Sequence, residues 1–222
     1  MSILHNAFRN GRNREIIRMV DLSKTVEDVR LHITVPETMV SKFFDLLQAG
    51  FAVKAETGVT IKAFLRDQIG LSETYVDERI QTLFLDFKPV DDADQATIQD
   101  GSRLALSAAM PGVAGALFRK GGRYRAMRKG ISHQTKENSP GRKKSWVTIK
   151  LFNLVLRELG SFFLSKGVRL DGRQVQDFIN SLPEALLEKI TNVEVNENAI
   201  EAGALCHQAW SGKNVFTTVI ST

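Results

Sequence analysis

Side chains able to serve as nucleophile, metal ligand or acid–base group are few and scattered. Cys206 is the single cysteine, and of the four histidines (His5, His32, His133 and His207) only His207 lies beside it. Adjacent residues of a strand point to opposite faces, so Cys206 and His207 make a poor nucleophile–base or metal-ligand couple. Asp91, Asp92, Asp94 and Asp100 gather in one stretch but lack the spacing and closing glutamate of a calcium loop, and they read as a solvated acidic rim. Gly112 and Gly115 have neither the strand-then-helix setting nor the trailing lysine of a phosphate-binding loop, and they read as flexible backbone. The expectation is a chain without catalytic residues, metal or cofactor.

Charge is the stronger signal. Residues 117–145 carry ten Lys and Arg against one acid, Glu137, so this segment is +9 while the rest of a +5 chain is −4. Within it Arg119, Lys120, Arg123, Arg125, Arg128 and Lys129 interleave with Phe118 and Tyr124. Cationic groups pair with phosphates and aromatic faces stack on bases, which makes this run a candidate polyanion-binding site. A solvated linker, or a segment folded back on the acidic remainder, are the competing readings.

The elements that must position these residues follow from periodicity. Val29, Leu31, Ile33 and Val35 alternate as a half-buried strand that Pro36 ends, and Met39 to Leu47 carry a helical stripe up to Gly50. Phe51, Val53 and Ala55 form a second strand. Thr60 caps a helix with the stripe Ile61, Phe64, Leu65 and Ile69. Ile80 to Leu85 is a strand, Asp86 to Pro89 a turn, and Asp100-Gly101 a turn into the strand Leu104, Leu106.

The same order returns after Trp146. It comprises a strand over Val147 to Leu151, a helix to Gly167, a short strand Val168 to Leu170, a helix after Gly172, and a strand Ile190 to Val195. A turn at Asn196 to Asn198 and a closing strand Val215 to Val219 complete it. Ser181 and Glu184 fit a capping box around Pro183. Seven equivalent positions are identical, Val29/Val147, Phe64/Phe178 and Ile80/Ile190 among them. The fold class expected is α+β, with two tandem domains at 27–116 and 146–222. A basic arm at 1–26 precedes them, and the basic connector at 117–145 joins them.

Hydrophobic residues at 43% and charged residues at 25% suit a globular chain, and no stretch is long and apolar enough to span a membrane. The first 20 residues lack the apolar block of a secretory signal, so a cytoplasmic protein without membrane contact is expected.

Strand, helix, strand, helix, strand, turn, closing strand is the order of a ubiquitin-like β-grasp unit, whose mixed sheet curls around the second helix. The stretch Leu83 to Val90, continuing into Asp100-Gly101-Ser102-Arg103-Leu104, resembles the small sulfur-carrier proteins, namely the molybdopterin synthase small subunit and the thiamine sulfur carrier. The resemblance covers 27–116 better than 146–222, and it implies two tandem β-grasp domains with mixed sheets. It also implies a functional tail after the first domain, where the family ends in Gly-Gly and is activated by an adenylating enzyme. Here the matching tail, Pro111, Gly112 and Gly115, has no Gly-Gly, and the chain runs on for more than a hundred residues. Gly121-Gly122 lies just beyond it; cleavage after Gly122 would expose such an end, while an uncleaved two-residue hairpin turn is the favoured reading.

The function expected is therefore a non-catalytic interaction module. A protein partner, of which an adenylating or molybdopterin-type enzyme is one candidate, docks on exposed sheet surfaces or on the tail that includes Pro111, Gly112, Gly115, Gly121 and Gly122. A sulfur carrier released after Gly122 and nucleic-acid binding through the connector are the alternatives.

Overall fold

Alternating apolar residues become strands wherever the sequence shows them. The computed structural model describes residues 28–128, 130–133 and 141–222; the N-terminal arm at 1–26, Lys129 and connector residues 134–140 lie outside the described residues. The strands are β1 Asp28–Val35, β2 Phe51–Thr57, β3 Thr82–Leu85, β4 Lys88–Pro89, β5 Arg103–Ser107, β6 Lys143–Phe152, β7 Val168–Asp171, β8 Asn192–Val195, β9 Asn198–Ala199 and β10 Asn214–Ser221. The helices are α1 Glu37–Val40, α2 Phe44–Gln48, α3 Ile61–Ala63, α4 Gly112–Phe118, α5 Asn153–Lys166, α6 Gly172–Ser181 and α7 Glu184–Leu187. Thr60 caps α3 as its sequence position suggests, its hydroxyl accepting from the Ala63 amide at 3.2 Å. A wider helical turn continues α3 through Phe64–Ile69 and buries the stripe Ile61, Phe64, Leu65 and Ile69. Each such side chain removed from water contributes roughly 1.5–3 kcal/mol.

All ten strands join one mixed sheet in the order β4-β3-β5-β6-β2-β7-β10-β1-β8-β9. The fold is α+β, and the halves expected at 27–116 and 146–222 do not carry separate sheets. Each half instead sends its first strand into the other: β1 pairs parallel with β10 and antiparallel with β8, while β6 pairs parallel with β5 and antiparallel with β2. At the junction β2 and β7 meet through Ala52 and Arg169.

The repeat is visible in the backbone at the two outer hairpins. Asp86-Phe87 and Asn196-Glu197 each turn with positive φ at both residues, 49° and 66° in the first and 50° and 68° in the second. Such a primed two-residue turn matches the twist of the strands that it joins. Asp86 accepts from the Arg103 amide (2.7 Å) and donates its own amide to the Arg103 carbonyl (2.8 Å); Asn196 makes the same pair with Arg30 (2.9 Å each). In space β1 therefore takes beside β8 the place that β5 takes beside β3, although β1 matches β6 by order along the chain.

One face of the sheet packs on the helices. The alternating residues Val29, Leu31, Ile33, Val35, Val147, Ile149 and Leu151 all turn to that side and join a single core with the helix stripes. A ring pair joins sheet to helix, Phe51 to Phe163 at 4.9 Å, and another joins two helical segments, Phe43 to Phe178 at 5.4 Å. Between two helical segments, Arg79 and the Tyr75 hydroxyl both bind the Glu158 carboxylate of α5 (2.9 and 2.7 Å).

Three local expectations are corrected. The capping box does not form, because α6 runs through Ser181, whose hydroxyl donates back to the Phe178 carbonyl (2.7 Å), and Pro183 begins α7. The stretch expected as flexible backbone from Gly112 is helix α4, in which Gly115 lies so close to the Met110 carbonyl that a side chain there would collide with it. Gly121-Gly122 turns the chain, but between α4 and a single helical turn Arg125–Arg128 rather than between two strands. The apolar side of α4 draws the chain onto β3, with Phe118 and Phe84 rings 5.4 Å apart.

Candidate functional site

Building outward from the basic run, the structure separates its members. Arg128 is buried; its guanidinium donates to the carbonyls of Leu117 (2.7 Å) and Arg119 (3.1 Å) and to the Ser132 hydroxyl (2.9 Å), and pairs with Asp91 at 2.6 Å. A charge this enclosed is tolerable only with such partners, so Arg128 staples the segment rather than facing a polyanion. Lys120 is half-buried, with its ammonium on the Val76 carbonyl (3.0 Å), and burial pulls its pKa down from the usual lysine value. Arg119, Arg123 and Arg125 are exposed, as is Tyr124.

Backbone bonds complete the attachment. Lys120 donates to Gln81 (2.7 Å) and His133 to Pro89 (2.9 Å), while the Gly121 amide reaches Asp91 (3.2 Å). The described part of the connector therefore closes the β3–β4 edge of the sheet, where unpaired strand backbone would otherwise invite another chain. Of the expected tail residues, Pro111, Gly112 and Gly121 are exposed, Gly122 is half-buried and Gly115 is buried. The five tail positions do not form one site.

The face of the sheet turned away from the helices gathers a different set. Its outward side chains on β5, β6, β2 and β7 include Arg103, Lys144, Lys150, Lys54 and Arg169, five cations on four neighbouring strands. Strand register aligns Arg103, Thr148, Ala52 and Arg169 directly across the sheet. Arg169 lies over the Trp146 ring at 4.5 Å. The carboxylates of these strands on this side sit at strand ends, where Asp171 caps α6 and Glu56 stands 3.8 Å from Arg142.

Two hollows flank this strip. One, of about 760 Å³, is walled by Phe84, Phe87, Met110 and Phe152 with Arg103 and Lys150 on its rim. Phe87 is 76% and Phe152 42% exposed, and Arg103 stacks 5.6 Å from the Phe87 ring. The other, about 670 Å³, lies over β10, β1 and β8 and is charge-balanced: Arg30 pairs with Glu197 at 3.1 Å and Arg169 with Asp28 at 3.5 Å. Composition could not single out the strip, because its cations are spread over four strands; alternation within each strand is the signal that carries them.

Among the described residues no group of three or more His, Cys, Asp or Glu side chains is arranged to hold a metal ion, and Cys206 is exposed in the helical turn Ala202–His207. No helix among them is long and apolar enough to cross a membrane. Comparison with protein-family models, curated proteins and solved structures finds no match to this chain.

Proposed function

We propose that this chain is a non-catalytic interaction module whose partner docks on the helix-free face of the sheet, at the first-half hollow and the cationic strip beside it. Phe87 carries the reading. A bulky aromatic residue is disfavoured at positive φ, and its ring gains nothing from standing in water. Yet Phe87 holds φ 66° at 76% exposure, beside exposed Phe152. The hairpin turn sets that φ, as it does at Glu197, so the support lies in the exposed ring at the mouth of an apolar hollow, whose burial a bound partner would restore.

We also read each end of the sheet as a β-grasp-like set of five strands that borrows the first strand of the other half: β6 fills the opening-strand place beside β2, whereas β1 fills the closing-strand place beside β8. Support comes from the parallel pair at the middle of each set and from the equivalent hairpins at its edge. On that reading the partner surface lies on the sheet and the tail of the first half serves as structure.

Photo-crosslinking in the native host tests the docking face. Phe152→p-benzoylphenylalanine should yield a discrete adduct, and the same substitution at Arg157, exposed on α5, should not. Equal labelling at both positions, or none at Phe152, overturns the reading.

A further inference from the structure

We infer that the strip over β5, β6, β2 and β7 binds single-stranded nucleic acid, an inference that rests on the docking face proposed above and names its partner. Charge is the first argument. Lys54, Arg103 and Lys150 make no ion pair among the described residues, although outside 117–145 the chain is net −4 and carboxylates are plentiful; Lys144 makes none either. Cations left unpaired side by side repel one another, so their concentration on one surface favours an anion that neutralises several at once.

Shape is the second. Between Arg103 and Arg169 the row is floored by Thr148 and Ala52, small side chains that leave a shallow trough across the strands. At about 4.8 Å per strand the two guanidinium-bearing positions stand roughly 14 Å apart, a span for several phosphates of one strand rather than for one small anion. Lys54 and Trp146 line the trough on one side and Lys150 on the other, while Lys144 lies a further pair along, opposite Glu56.

The aromatic rings are the third. Phe87 and Phe152 present open faces at one end of the trough and Phe216, 40% exposed, lies beyond the other. A duplex keeps its bases stacked inside and offers such rings nothing, whereas an unpaired strand lays bases on them. An acidic peptide would satisfy the cations, but the sheet gives it no strand to extend at the β3–β4 edge, which the connector closes.

Fluorescence anisotropy of a labelled oligothymidylate titrated with the full chain tests this. Saturable binding is expected, with log affinity falling against log salt by about 0.7 per phosphate contacted. The combined variant Lys54→Glu, Arg103→Glu, Lys150→Glu should weaken binding by two orders of magnitude or more, and Lys150→Ala alone should lower the salt slope by about 0.7. Phe87→Ala and Phe152→Ala should each weaken it roughly 5- to 100-fold with the slope unchanged. The connector variant Arg119→Glu, Arg123→Glu, Arg125→Glu should still bind. Should the combined strip variant not fold, Lys150→Ala and the two phenylalanine variants decide. Absent binding, tighter binding to a duplex of equal length, or binding lost with the connector variant and kept with the strip variant overturns the inference. A nuclease-resistant protein adduct at position 152 with no oligonucleotide binding leaves the docking face standing and removes nucleic acid as its partner.

Discussion

At one end of the sheet Asp86 and Phe87 turn β3 into β4, and at the other Asn196 and Glu197 turn β8 into β9 with nearly the same four φ angles. Each first residue holds the backbone of an arginine, Arg103 or Arg30. The second residues differ: Phe87 lies under the Arg103 guanidinium, whereas Glu197 pairs with Arg30. Among the described residues only the first end is roofed at its edge, by the connector and its buried Arg128. One backbone device thus supports an apolar hollow rimmed with unpaired cations in one half and a charge-balanced one in the other. The side chain at the second turn position and the roof of the connector, rather than the order of the strands, separate the two ends.

The roofed end should be the more sensitive to truncation. Arg128→Ala leaves the Leu117 carbonyl without its donor and the Arg119 carbonyl and Asp91 with only the Gly122 and Gly121 amides, and it should lower the unfolding free energy by about 2–4 kcal/mol. Denaturant unfolding measures this, and an unchanged midpoint would break the picture of a stapled edge. Gly115→Ala comes next, at about 1–3 kcal/mol, because the added methyl group meets the Met110 carbonyl.

Phe87→Glu sharpens the comparison directly, since it would give Arg103 the carboxylate that Arg30 has in Glu197. An exposed ion pair contributes roughly 0–1 kcal/mol, so stability should hardly move while crosslinking from position 152 falls. A large loss of stability instead would mean that the ring is packed as core.

The smallest effect is expected at Glu158, which joins α5 to the helical turn Tyr75–Arg79. Hydrogen bonds from Arg79, and secondarily from Tyr75, hold its carboxyl below the usual glutamate pKa. Because the folded value is depressed, its contribution is present above the unfolded value of about 4.3 and fades as pH falls through the folded one. Glu158→Gln should therefore cost under about 1 kcal/mol at neutral pH, and its stability should converge with that of the parent chain in acid.

Much of this architecture is legible before folding. The positions of β1, β2, β5, β6 and β10, the stripe from Ile61 to Ile69 and the two hairpin turns all follow from local pattern, and so does the resemblance between halves. Ser181 shows where local pattern misleads: the same hydroxyl that can cap a following helix can bond back into the preceding one, and the longer helix wins. The cationic strip shows where it falls short, because Arg103, Lys54, Lys150 and Arg169 are unremarkable within their own strands.

The sequence by itself determined which residues of each strand face the core, since that depends only on alternation along one segment. Which strands become neighbours was decided by the tertiary structure. β1 fits equally well, by pattern, beside strands of its own half or of the other, and only the shared core and the connections place it between β10 and β8. The arginines follow the same rule. Arg119, Arg123, Arg125 and Arg128 look alike in sequence, and Arg128 alone is buried because Asp91 and two backbone carbonyls converge where it lies.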